Sequence, residues 1–177
     1  MLLVVLYGNY FGKTRSRLIF IGILFLVWAN CHSGFVFGLF VLGVWQLFDF
    51  ANWYTSEGKD EPRKPLDFAW PVLVGAVTAL ANPNFYHVYL YPFKFFQNSV
   101  LFEAVSELRP LNFPEFVGAW FIPIVYGLLV ISGVCCLLRL KHGAFREIIL
   151  LGVFGMLAFR SVRNVPVAMI IILPGMM

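Results

Sequence analysis

Charged residues are scarce in this chain. Only 12% of its 177 residues are Asp, Glu, Lys or Arg, whereas 60% are hydrophobic and 18% are aromatic. Soluble domains carry about 25% charged residues, so this composition excludes an ordinary water-soluble domain and indicates an integral membrane protein. We therefore assign the net charge of +4 to basic loops that face the cytoplasm, and predict no nucleic-acid partner.

Cysteine is also scarce, since the chain has only Cys31 and the adjacent pair Cys135 and Cys136. These three lie in apolar surroundings without metal-ligand spacing, so we predict neither a disulfide framework nor a metal site, and interpret them as packing residues. The sequence also lacks phosphate-binding loops, nucleophile elbows and dinucleotide fingerprints. No cofactor is identified on these grounds.

Both ends of the chain look interrupted. Residues 1–7 form an apolar run that is too short to span a membrane, and they lack the basic region and cleavage site of a signal peptide. The last residues, 174–177, directly follow the apolar run 170–173. We expect residues 1–177 to form one transmembrane domain that is a fragment of a longer polytopic protein.

Long apolar stretches predict an all-α, polytopic bundle of transmembrane helices. A spanning helix needs about 20 apolar residues. Residues 82–115 are predicted to lie at the outer face, with an aromatic-rich helix near the membrane surface around residues 86–93. The predicted spans are 18–30, 34–53, 67–81, 116–138 and 148–173.

The apolar stretch 18–50 is too long for one simple span and has polar residues at its middle. It is either one bent helix or a hairpin that folds back near residues 30–34. The hairpin places three basic loops, each with three Lys or Arg, on one side of the membrane, and leaves only Lys94 and Arg109 on the other. The single helix divides the charges five against six. Because basic loops prefer the cytoplasmic side, we predict a broken hairpin.

Polar side chains at the predicted hairpin tip are the first candidates for a site. Unpaired polar groups are costly in hydrocarbon, so Asn30 and His32 either bind a polar substrate or lipid head group, or satisfy the backbone of a turn. Asn82, which precedes Pro83, either ends a helix or lines the same pocket. Gly34 and Gly38 are interpreted as a close-packing helix face.

Charged residues late in the chain are the second candidates. Arg160 and Arg163 are three residues apart, so they are expected to share a helical face. They either lie in the middle of a span or mark a point where the chain turns back before Pro166. In both cases a pair of guanidinium groups suits a phosphate. Glu107 orients a sugar hydroxyl, acts as a base, or belongs to a solvated loop.

Several short motifs occur together in an order that is typical of one enzyme class. Residues 28–35 read W-A-N-C-H-S-G-F, which resembles a W-x-N-x-H-G-G-F motif of large multi-pass bacterial membrane proteins. Asn82-Pro83, the segment 107–110 and Arg160-x-x-Arg163 follow in the same order as in those proteins. The chain thus resembles GT-C-type glycosyltransferases, of the RgtA/B/C/D-like and protein-mannosyltransferase-like kinds.

This resemblance implies a protein of the cytoplasmic membrane that uses a polyisoprenyl-phosphate-linked sugar at the outer face. It implies that Arg160 and Arg163 hold the lipid phosphate, and that Asn30, His32 and Asn82 shape the sugar or acceptor pocket. Glu107 would then orient an acceptor. The catalytic acid of the class belongs to an earlier outer loop, so the fragment alone is expected to be inactive. The alternative is a non-catalytic polytopic protein, either a transporter or an assembly subunit.

Overall fold

The computed structural model describes residues 14–55, 64–96, 110, 120–139 and 145–172. Every element in these ranges is helical, which confirms the all-α prediction for this part of the chain. The chain divides into two compact units, Met1–Gln97 and Asn98–Met177. The first contains α1 (Thr14–Cys31), α2 (Phe35–Thr55), α3 (Pro65–Ala79) and α4 (His87–Phe96). The second contains α5 (Phe121–Leu138), α6 (Phe145–Arg160), a 3-10 turn (Val162–Asn164) and α7 (Val165–Ile172).

The chain reverses direction between α1 and α2. A Cβ atom added to Gly38 would overlap the indole ring of Trp28, although one continuous helix would separate these residues by about 15 Å along its axis. Hydrogen bonds from His32 N to the Trp28 carbonyl (2.8 Å) and from Phe37 N to the Gly34 carbonyl (3.1 Å) close α1 and open α2. The apolar stretch 18–50 is therefore a helical hairpin in this structure.

Helix α3 packs against both arms of this hairpin. Gly75 allows the close approach, because a Cβ atom there would lie 2.9 Å from the Phe25 ring of α1 and 3.1 Å from Leu39 of α2. At the other end of the bundle, the rings of Phe50 and Trp53 in α2 contact Phe68 in α3. Close packing of large side chains stabilises the unit through many small van der Waals contacts. Fully buried core residues of the first unit include Ile21, Phe25, Phe35, Leu42 and Ala79.

Within the described ranges, two helices have the length and apolarity that a membrane crossing needs. These are α2, with 21 residues, and α5, with 18 residues. Helix α3 is apolar but has only 15 residues. Helix α4 lies where the sequence predicted an aromatic-rich helix. Helix α3 ends before Pro83, which has no backbone N–H and so cannot donate a helical hydrogen bond.

The apolar stretch 148–173 is divided at Ser161. Helix α6 ends at Arg160, Ser161 has an extended backbone (φ −157°, ψ 129°), and a 3-10 turn leads into α7. Helix α7 packs against α6. The prediction that Arg160 and Arg163 share one helical face is therefore wrong, because the extended residue between them interrupts the helical repeat.

Candidate functional site

A groove of about 530 Å³ lies where the hairpin tip, the turn after α3 and α4 meet in the first unit. Nine of its residues carry polar or titratable side chains, counting the thiol of Cys31 and the phenol of Tyr91. The apolar core of the bundle ends at this point, so these side chains collect at one end of the unit. The lining residues are Ala29, Asn30, Cys31, His32, Ser33, Asn82, Asn84, His87, Val88, Tyr91 and Lys94.

Asn30 and Asn82 join the ends of α1 and α3 by reciprocal hydrogen bonds. Asn30 Nδ2 donates to the Ala81 carbonyl (3.0 Å), and Asn82 Nδ2 donates to the Ala29 carbonyl (2.8 Å). Asn82 Nδ2 also lies 3.4 Å from Asn30 Oδ1. Carbonyl groups at helix ends lack partners within their own helix, so each asparagine supplies a donor to the end of the other segment. We call this pair the asparagine clamp.

The remaining bonds of the asparagine clamp determine its role. Asn30 Nδ2 also donates to the Leu26 carbonyl (2.8 Å), and Asn82 Oδ1 accepts a hydrogen bond from Asn84 N (2.9 Å). An amide group has two donor hydrogens, and both asparagines direct theirs to protein acceptors. Asn30 and Asn82 therefore build and position the groove, and their amide hydrogens are taken by protein acceptors.

His32 stabilises the turn at the hairpin tip. Its Nδ1 atom accepts a hydrogen bond from Gly34 N at 2.8 Å. This bond ties the imidazole to the backbone of the turn. A side chain at Gly34 would meet the ring, because a Cβ atom would lie 2.7 Å from Nδ1. Glycine at this position keeps the imidazole against the turn.

Helix α4 is fixed to the bundle by Tyr89. The Tyr89 hydroxyl donates a hydrogen bond to the Ala76 carbonyl of α3. Its ring makes an edge contact with Phe35 at the start of α2, with 5.2 Å between the centroids. Burial raises the pKa of Tyr89, which keeps the phenol protonated as a donor. The adjacent Val88 is buried, so the position of α4 beside the groove is set by packing.

The face of α4 toward the groove carries His87, Tyr91 and Lys94. Their spacing of four and three residues places them on one side of a helix. The sequence predicted Lys94 only as a charge on the outer side and His87 only as part of the aromatic-rich helix around residues 86–93, so neither was predicted to line a groove. The spacing of residues 87, 91 and 94 does predict a shared helical face. That this face meets the hairpin tip depends on the turn at residues 82–86, which the sequence did not predict.

The structure brings three of the six predicted site residues together. Asn30, His32 and Asn82 line the same groove. Arg160 is exposed at the end of α6 in the second unit, and Arg163 belongs to the following 3-10 turn. Glu107 lies outside the described residues. Cys31, which was interpreted as a packing residue, is exposed at the groove.

Metal ligands do not assemble within the described ranges. No group of three or more His, Cys, Asp or Glu side chains in them could hold a metal ion. Comparisons of the chain with protein-family models, with curated proteins and with solved structures gave no match. The resemblance to GT-C-type glycosyltransferases thus rests on the sequence motifs.

Proposed function

We propose that this chain is part of a multi-pass, glycosyltransferase-like protein of the cytoplasmic membrane. Its substrate is a sugar linked to a polyisoprenyl phosphate, which it takes up at the outer face. The observation that supports this proposal is the polar groove at the tip of an apolar helical hairpin, lined by Asn30, His32 and Asn82. A lipid-linked sugar has the same division into a polar head and a long apolar tail.

The dimensions and chemistry of the groove suit the head group of such a substrate. Small-molecule sites typically enclose about 300–1,000 Å³, and the groove has about 530 Å³. Sugar hydroxyls both donate and accept hydrogen bonds, and the hydroxyl of Ser33, the amide of Asn84 and the imidazole of His87 offer both kinds of partner.

The surroundings of the groove suit a membrane–water interface. Tyr86, Tyr91 and Phe93 expose more than half of their surface on or just before α4, and aromatic side chains are enriched at the level of lipid head groups. The asparagine clamp holds the groove open between apolar helices without leaving the helix-end carbonyls unpaired. This arrangement supports a head-group site next to the membrane.

The other predicted residues enter the proposal through the resemblance. Arg160 and Arg163 would neutralise charge on a lipid phosphate, because leaving-group charge develops as a glycosidic phosphate bond breaks. Glu107 would orient an acceptor. No residue of this chain is assigned as the catalytic acid or base.

Photocrosslinking tests the proposal. The probe is a polyisoprenyl-phosphate-linked hexose with a photoreactive group on the sugar, added to membranes that contain the full chain. We expect crosslinks at residues 30–34 and 82–94 that an excess of unlabelled lipid-linked hexose suppresses. Crosslinks spread over the apolar helices, or crosslinks that do not compete, would contradict the proposal and favour a transporter or an assembly subunit.

Two serine variants provide a matched control for this experiment. Ser33→Trp places a large side chain in the groove, whereas Ser16→Trp places the same side chain at an exposed position at the start of α1. Ser33→Trp should abolish the competed crosslinks and Ser16→Trp should leave them unchanged. Equal behaviour of the two variants would exclude the groove as the sugar site.

A further inference from the structure

The described residues that line the groove contribute positive charge and no negative charge. Lys94 contributes a full positive charge, and His32 and His87 contribute imidazoles from opposite walls. Within the part of the chain that the structure describes, the residues lining the groove include no Asp or Glu. A cation that faces a partly enclosed polar space without a carboxylate favours an anionic ligand.

The groove face of α4 presents its polar groups in a row. His87, Tyr91 and Lys94 follow one another along the helix at intervals of four and three residues, about 5–6 Å apart between neighbouring Cβ atoms. Their helix is held in place by the contacts of Tyr89 with Ala76 and Phe35. The position of the Lys94 stem is thus set by a packed helix that is anchored to two others.

The residues that flank the groove face of α4 are apolar and exposed. The exposed fractions are 43% for Leu90 and 62% for Phe93 on α4, and 57% for Phe85 in the preceding turn. Phe85 also has a positive φ of 45°, an uncommon conformation for a bulky residue. The turn and helix therefore place an apolar surface beside a cationic groove, and an anion attached to an apolar chain would contact both.

We propose that the groove binds the phosphate group of an isoprenoid lipid phosphate, with Lys94 and His87 as its ligands. The ammonium of Lys94 pairs with a phosphate oxygen, and the imidazole of His87 donates a hydrogen bond to a second oxygen. The apolar chain lies along Leu90 and Phe93. The inference rests on the proposed function for the isoprenoid nature of the lipid, and it adds Lys94 and His87 of the first unit as phosphate ligands.

Binding of farnesyl phosphate tests the inference. The full chain is placed in nanodiscs of neutral phosphatidylcholine, and binding of farnesyl phosphate, farnesol and inorganic phosphate is measured by calorimetry. We expect saturable binding of farnesyl phosphate, no saturable binding of farnesol, and much weaker binding of inorganic phosphate. Equally tight binding of inorganic phosphate would show a phosphate site and overturn the lipid as its source.

Substitutions of lysine locate the site. Lys94→Gln removes the charge and should weaken farnesyl phosphate binding by about tenfold or more, whereas Lys94→Arg should retain binding. Lys64→Gln makes the same change at an exposed position before α3, and should change the affinity by less than about twofold. His87→Gln should weaken binding.

The outcomes separate this inference from the proposed function. Unchanged affinity in Lys94→Gln would overturn the phosphate site in the groove. If the hexose probe still crosslinks at residues 30–34 in that case, the proposed function stands without this inference. Binding of farnesyl phosphate that depends on Lys94, together with no competed crosslinking of the hexose probe, would support the phosphate site and contradict glycosyl transfer.

Discussion

At the scale of single residues, the main finding concerns the role of Asn30 and Asn82. Sequence patterns identified both as polar residues that must be satisfied in an apolar chain, and left open whether a ligand or the backbone satisfies them. The structure shows that backbone carbonyls take their amide hydrogens. Sequence could locate these residues because buried polar groups are costly, but it could not give their partners, which are 51 to 53 residues away.

The asparagine clamp predicts a specific loss of stability. Asn82→Ala leaves the Ala29 carbonyl and the Asn84 N–H without their partners, so we expect a destabilisation of about 1–3 kcal/mol. Asn84→Ala is the matched control, since it removes an exposed amide from the same turn, and should change stability by less than about 0.5 kcal/mol. Thermal unfolding in detergent micelles measures both.

A double substitution provides the decisive comparison for the asparagine clamp. Asn30→Ala and Asn82→Ala disrupt the same junction, so the double variant should be less destabilised than the sum of the two single variants, with a coupling of about 0.5–3 kcal/mol. Additive effects would mean that the two amides act independently and that no clamp exists.

At the scale of elements, glycine positions determine how closely the helices approach. The interpretation of Gly34 and Gly38 as a close-packing helix face is confirmed for Gly38, which lies against the Trp28 ring of α1. It is wrong for Gly34, which lies in the turn before α2 and against the His32 ring of that turn. Their spacing alone could not say which side chain each would meet. The break at Ser161 could not be predicted from hydrophobicity, because residues 148–173 form one apolar stretch. Only the two arginines and Pro166 indicated an interruption there.

Two glycines of α2 therefore predict opposite results on substitution by alanine. Gly38→Ala inserts a methyl group into the Trp28 ring and should destabilise the hairpin by about 1–3 kcal/mol. Gly43→Ala adds the same methyl group where it would meet no packing neighbour within 4 Å, and should be neutral or stabilising by about 0.5–1 kcal/mol, because alanine favours a helix.

Unfolding of the two variants in the same detergent gives the comparison. Tryptophan fluorescence adds a local readout, since Gly38→Ala must displace the Trp28 indole. A Gly38→Ala variant as stable as Gly43→Ala would contradict the packing of α1 against α2 at this point.

At the scale of the whole molecule, composition predicted the helical class and charge placement predicted the reversal near residues 30–34. Both rest on general physics: apolar stretches become helices in a membrane, and basic loops prefer one side. The groove itself was harder to predict. The sequence identified Asn30, His32 and Asn82, but the contribution of α4 depends on the turn at residues 82–86, which returns Lys94 and His87 to the hairpin tip.

The most direct test of the account is the side of the membrane on which the groove opens. Single cysteines replace Ser33, Asn84, Tyr54 and Lys64 in a chain whose native cysteines are replaced by alanine, and a membrane-impermeant maleimide is applied to intact cells. The account predicts labelling at the groove positions 33 and 84, and none at 54 and 64 until the membrane is permeabilised. Labelling at 54 and 64 without labelling at 33 and 84 would contradict a groove at the outer face, and with it the proposed uptake of a lipid-linked sugar there.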